Sequence, residues 1–209
     1  MHPMQKQVDK AHYTFKAYMT PFRWASVWHQ IDLSLEYEPQ NVLEVGSGPG
    51  FYKFALGGNH VPVTTLDIAE DLNPDVVGSV LDLPFEENDF DLACAFQVLE
   101  HLPYENFISA LKELSRVARK AVILSLPDVA AGYPFRISIP GRGVRDFVIP
   151  RPYFKKEHAF DGEHYWEINK KETPLKKVLG DIQAAGFTCA LSKRYPDYLY
   201  HRFMVITKG

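Results

Sequence analysis

The residues of this 209-residue chain that could do chemistry gather first in the stretch 42–50, "VLEVGSGPG". Glu44 precedes Gly46, Gly48 and Gly50, and Ser47 lies between the first two glycines. Glycine admits positive φ and carries no Cβ, so a ligand can lie directly against such a backbone. The turn follows a short apolar run, and nucleotide ligands bind in the crevice beyond the first strand of an open parallel sheet. Its spacing argues against a pyrophosphate. A dinucleotide fingerprint needs a third glycine at position 51, which is Phe51, and Lys53 is out of register for a Walker lysine. Glu44 agrees, since a carboxylate repels phosphate and suits a cationic ligand.

The elements that must position these residues are short. Runs at 41–45, 61–67, 76–83, 91–96 and 121–126 are apolar, β-branched and bounded by turn residues, as strands buried on both faces are. A helical stripe over 106–118 places Phe107, Leu111, Leu114 and Ala118 on one side. Another helix follows Thr173 as N-cap and Pro174 at its first position, with Leu175, Val178, Leu179 and Ile182 apolar and Gly186 beyond its end. Residues 187–195 and 198–209, split by Pro196-Asp197, form a closing antiparallel hairpin. Residues 5–36 form two aromatic-rich helices broken near Thr20-Pro21. The pattern predicts an α/β fold: a Rossmann-like, doubly wound sheet of about seven strands, mostly parallel, with that antiparallel C-terminal hairpin. All 209 residues are expected in one domain, with 1–36 as a helical cover.

Residues 127–172 break the rhythm. They hold five prolines and four arginines, with many aromatics and no clear periodicity. A loop this long is functional or disordered, and its aromatics argue against disorder. It is either a substrate lid or a solvated loop covering the sheet edge. Arg136, Arg142, Arg145, Arg151, Lys155 and Lys156 make it locally basic, and His158 and His164 are its candidate general bases.

With these motifs in place, the chain resembles class I S-adenosylmethionine-dependent methyltransferases, of the type 11 kind. "VLEVGSGPG" resembles their first motif, Asp67 ends "VTTLD", "LDLPF" (81–85) resembles the third motif, and "FDLACAFQVLEHLP" (90–103) the fourth-strand motif. The resemblance is strong over about residues 40–126. It implies S-adenosyl-L-methionine as cofactor, a ligand that is cationic and free of phosphate. Glu44, Gly46, Ser47, Gly48 and Gly50 would cradle it, and Asp67, with Ile68 beside it, would accept from the ribose hydroxyls. Asp82 would accept from the adenine amine, Leu83 would offer its N–H, and Gln97 and Val98 would line the pocket. Each residue has a plainer reading: turn glycines, Asp67 as a cap, Asp82 in an Asx-turn, His101 as a structural histidine.

Methyl transfer needs alignment and desolvation, and a base only where the nucleophile must lose a proton. His101, His158 and His164 are the candidates for that base. No metal is expected, because "ENDFD" (87–91) precedes the fourth strand at its far edge. The expected acceptor is a small molecule, acidic or saccharide-like. The competing reading is a non-catalytic module on the same scaffold, because fold does not dictate function. A net charge of −3 speaks against a nucleic-acid partner. No apolar run reaches the roughly 20 residues of a membrane span, and no secretory signal opens the chain. Cys94 and Cys189 are expected as reduced core thiols. Together these suggest a cytoplasmic monomer or homodimer.

Overall fold

The computed structural model describes residues 10–209. The apolar runs become β1 (Val42–Val45), β2 (Val63–Asp67), β3 (Val76–Val77), β4 (Phe90–Phe96) and β5 (Ala118–Pro127). A detached pair, β6 (Gly132–Ile139) and β7 (Gly143–Pro150), follows, then β8 (Phe187–Tyr195) and β9 (Tyr198–Lys208). The helices are α1 (Phe15–Tyr18), α2 (Pro21–Leu35), α3 (Phe51–Gly58), α4 (Phe107–Val117) and α5 (Leu175–Ala184).

Seven strands form one sheet in the order β3-β2-β1-β4-β5-β9-β8. The first five run parallel, and β9 is antiparallel to both β5 and β8. Because β2 and β4 flank β1 on opposite sides, a crevice opens beyond the ends of β1 and β4, where such sheets hold ligands.

All four residues of β1 are buried, which is why the run is apolar rather than alternating. Successive side chains serve opposite faces. Leu43 and Val45 pack in the cluster of Phe107, Leu111 and Leu114 from α4, and Val42 in that of Tyr52 and Leu56 from α3. The same alternation puts Glu44 on the α3 face.

Four local expectations are corrected. The run 76–83 pairs as a strand only at Val76–Val77, after which Asp82 closes a turn with its N–H on the Ser79 carbonyl. The sequence Leu-Pro at 83–84 cannot extend a parallel ladder. Thr173 does not cap α5. Its hydroxyl donates to the Glu167 carbonyl at 2.6 Å, and Pro174 stands at the N-cap. At the other end of the chain, α2 does begin at Thr20, whose Oγ1 accepts the Arg23 N–H at 3.2 Å. The first expected helix is reduced to α1 and a preceding 3-10 turn, Lys10–Tyr13, and positions 5–9 lie outside the described residues.

The fourth correction concerns 127–172, where regular structure does form. β6 and β7 make a hairpin pairing Tyr133 with Ile149, Phe135 with Phe147 and Ile137 with Arg145. Partnered side chains share a face, so this face is apolar, yet its members are exposed. Arg136 on the opposite face bonds Asp146 and Asp197, which ties the hairpin to the β8–β9 turn. Residues 151–174 then return along the body without helix or strand. Both cysteines are free, Cys94 buried and Cys189 half-buried. Among the described residues no helix is long and apolar enough to cross a membrane.

Candidate functional site

The glycine turn leaves β1 at Gly46, with φ +79°, and its N–H donates to the Leu66 carbonyl of β2 at 2.8 Å. A Cβ on Gly46 would lie 2.3 Å from Cγ2 of Val98, so the backbone can pass there only as glycine. Gly48 lines the crevice. Gly50 does not line it, and at φ +76° it serves as the N-cap of α3. Asp67, at the tip of β2, clasps this turn from the side. Its Oδ2 accepts the Ser47 N–H at 3.0 Å, and its Oδ1 accepts the Ala69 N–H at 2.9 Å.

Glu44 lies beneath the turn, 4% exposed, and its Oε2 has no hydrogen-bond partner among the described residues. Burial pushes this carboxyl well above the usual range, against the opposing pull of the Lys53 ammonium. An unpartnered buried carboxyl oxygen costs free energy that a cationic or hydroxyl-bearing ligand would recover.

The crevice opens into a cavity of about 1120 Å³. Sites for one drug-sized ligand run to roughly 300–1,000 Å³, so this one has room for a nucleoside-sized ligand and a second small molecule. Its first end is walled by Glu44, the glycine turn, Asp67 with Ile68, and Gln97 with Val98. Gln97 takes φ +56°, and its side-chain amide lies 3.3 Å from Ser125 Oγ. The rest of the lining is aromatic and polar: Tyr13, whose ring stands over Gly48 of the turn, Tyr18 and Arg23 from the N-terminal segment, Phe160 and Tyr165 from the returning segment, and His201 from β9. The Arg23 guanidinium lies 4.2 Å above the Tyr18 ring, a cation–π pair inside the wall.

His201 escaped the sequence reading. It is 3% exposed, and its Nδ1 meets Ser26 Oγ at 2.7 Å. Burial, reinforced by the positive Arg23 and by His164, depresses its pKa to about 3. The Tyr198 and Tyr200 rings pack beside it. An unfolded histidine titrates near 6.5, so as pH falls below that value the unfolded chain takes up this proton first. The contribution of His201 is complete above about pH 6.5 and declines by about 1.4 kcal/mol per pH unit toward pH 3. Denaturant unfolding between pH 6.5 and 5 should therefore show a shallower pH slope in His201→Gln than in the unaltered chain. Equal slopes would mean that His201 is not held neutral.

Other sequence-derived candidates stand elsewhere. Asp82 is exposed and outside the cavity lining, and the Leu83 N–H expected to meet adenine donates to Glu113 Oε2 at 3.0 Å. Val80 and Leu81 line the cavity in their place, because the turn at Ser79–Asp82 shifts the register. His158 is corrected too. Its Nε2 donates to the His164 carbonyl at 2.8 Å behind the wall, and neither it nor His164 lines the cavity. His101 does line it, with Nδ1 donating to the Glu163 carbonyl at 2.9 Å. None of Arg136, Arg142, Arg145, Arg151, Lys155 or Lys156 lines the cavity; among the described residues Arg23 does.

Beside His101 is a polar cluster that sequence patterning gave no reason to assemble. Glu100 is fully buried, and burial raises its carboxyl to about 8 in spite of the nearby His164. His164 is pulled down by burial, but Glu167 and Glu100 outweigh this and leave it above the usual histidine value. For Glu167 burial works upward, yet the bonds from His164, Tyr200 and Lys170 bring it down to about 2.

Residues 43–126 match the family model of the methyltransferase domain. No curated protein sequence matches the chain significantly. Among solved structures it is similar to the PH0226 protein of Pyrococcus horikoshii OT3, with 16% identity and a TM-score of 0.60, covering 97% of this chain and 100% of the other. The Burkholderia thailandensis 1,6-didemethyltoxoflavin-N1-methyltransferase, solved with its substrate and S-adenosylhomocysteine, is also similar at 16% identity and a TM-score of 0.56, covering 91% of each chain. So is the magnesium protoporphyrin IX methyltransferase of Synechocystis PCC 6803, solved with S-adenosylhomocysteine, at 17% identity and a TM-score of 0.57, covering 90% of this chain and 84% of that one. The matched segment spans β1 to β5 and holds the glycine turn, Asp67, Gln97 and Val98. Residues 43–126 thus match a methyltransferase domain, and the strand order and crevice are those of a Rossmann-like fold shared with these structures.

Proposed function

We propose that the chain transfers a methyl group from S-adenosyl-L-methionine to a small-molecule acceptor. The observation that carries this reading is the pairing of a side-chain-free turn with two acids, Asp67 beside it and Glu44 beneath, at one end of a two-ligand cavity. Two carboxylates, with no lysine among the described lining residues, suit a nucleoside that is cationic and free of phosphate. The residues fit that cofactor: the orphaned Glu44 Oε2 offers a site for its ammonium, and Asp67 can turn its oxygens to ribose hydroxyls. Ile68, Val80, Leu81 and Val98 are apolar wall for a purine.

When bound, the cofactor supplies a methyl carbon already activated by a sulfonium. The chain contributes alignment and exclusion of water. Tyr18, Phe160 and Tyr165 form an aromatic wall for the acceptor, and Arg23 is placed to pair with an anionic group on it. This supports a planar, acidic acceptor over a saccharide. The test is isothermal titration with adenosylmethionine, adenosylhomocysteine and NAD, followed by a labelled-methyl screen of aromatic acids. Micromolar binding of the first two, with none of NAD, is expected. Absence of adenosylhomocysteine binding at millimolar excess would end the proposal. Tight binding with no transfer to any acceptor would favour the non-catalytic module.

A further inference from the structure

Glu100 presents a problem that methyl transfer does not solve. The residue is 0% exposed, and neither carboxyl oxygen has a hydrogen-bond partner among the described residues. A buried carboxyl group with neither oxygen hydrogen-bonded costs free energy even when it is held neutral. Two imidazoles face it. One ligand atom each from Glu100, His101 and His164 lie within 4.8 Å of one another, and the two rings meet edge to face with centroids 5.1 Å apart.

Both rings are also fixed from behind. His101 directs Nδ1 to the Glu163 carbonyl at 2.9 Å. His164 turns Nδ1 toward Glu167, 3.5 Å from its Oε1, with the Tyr200 hydroxyl at 3.4 Å. A carbonyl or carboxylate behind one nitrogen is how proteins orient a histidine whose other nitrogen binds a metal. Glu100 and His101 are adjacent on the 3-10 turn Leu99–His101. The Tyr165 N–H donates to the Glu100 carbonyl at 2.8 Å, so the His164 segment is pinned to that turn.

We propose that Glu100, His101 and His164 form a binding site for a first-row divalent transition ion, with zinc as the simplest occupant. Two imidazole nitrogens and one carboxylate oxygen are the donor set of three-ligand sites that leave further positions open. Bonds of about 2.0–2.2 Å place ligand atoms roughly 3.4 Å apart. Contraction from the present spacing requires the two partly buried histidines to rotate toward Glu100. The ion would take the place of the proton on the buried Glu100 carboxyl and give its oxygens a partner. Because His101 lines the cavity, it would stand at the wall of the acceptor end. The site itself does not depend on the methyltransferase reading.

The test is metal content. Chelator-stripped protein is dialysed against zinc and assayed by elemental analysis, and a cobalt(II)-loaded sample is examined for visible d–d absorption. About one ion per chain is expected. Glu100→Gln, His101→Ala and His164→Ala should each weaken retention at least tenfold, and His60→Ala, at an exposed histidine, should not. Adenosylhomocysteine titration of every variant reports whether the crevice is intact. Unaltered protein that binds adenosylhomocysteine but retains no stoichiometric zinc or cobalt would overturn the proposal. Undiminished retention in both Glu100→Gln and His164→Ala would do the same. Stoichiometric metal without adenosylhomocysteine binding would support this site and count against the proposed methyl transfer instead.

Discussion

Asp67→Ala is expected to weaken adenosylmethionine and adenosylhomocysteine binding a hundredfold or more. Hydrogen bonds to a charged partner contribute about 1.5–3 kcal/mol each, and this carboxylate would accept two from the ribose hydroxyls. It also holds the Ser47 N–H at 3.0 Å and the Ala69 N–H at 2.9 Å. Its removal therefore loosens the glycine turn as well as the sugar site. A hundredfold loss corresponds to about 2.7 kcal/mol, within the reach of either effect. Asp67→Asn keeps one acceptor oxygen and should recover part of the affinity. Titration calorimetry decides the matter, and an alanine variant that binds within threefold of the unaltered chain would remove Asp67 from the site.

Gly46→Ala is expected to destabilise the fold by roughly 2–5 kcal/mol. Left-handed backbone costs a non-glycine residue about 1–2 kcal/mol, and overpacking adds about 1–3 kcal/mol. The clash is specific: the new Cβ would lie 2.3 Å from Val98 Cγ2. Two comparisons separate the contributions. Gly50→Ala, at a similar φ of +76° but with nothing within 4 Å of its Cβ, should bear only the conformational cost. Adding Val98→Ala to Gly46→Ala should recover the steric part, which a double-mutant cycle would show as a favourable coupling. Equal denaturation midpoints for the Gly46 and Gly50 variants would contradict this account.

The fold was legible in the chain wherever residues are buried on both faces of the sheet, because burial forces an uninterrupted apolar run. β1, β4 and β5 announced themselves in this way, as did the stripe of α4. The glycine turn was legible for a related reason: glycine at position 46 and an acid at 67 are local requirements of one turn. The course of the chain after β3 was less legible. Asp82 and Leu83 sit in a turn whose register no periodicity encodes, and the Leu83 N–H is claimed by Glu113, 30 residues away. The β6–β7 hairpin was missed because Pro134, Pro140 and Pro150 masked an alternation that Tyr133, Phe135, Ile137 and Ile139 do carry. His201, and the meeting of Glu100 with His164, depend on contacts between distant segments. A single sequence carries no sign of them.

The bond between Ser26 and His201 joins positions 175 apart along the chain. Both side chains line the cavity, whereas the glycine turn and Asp67 need only the strands from β1 to β4. A ribosome making this protein thus completes the glycine-turn side of the crevice long before it has made the strand that carries His201. A nascent chain stalled after β5 would already contain the glycine turn, Asp67 and the N-terminal wall residues Tyr18 and Arg23, and Ser26 would still lack its histidine partner.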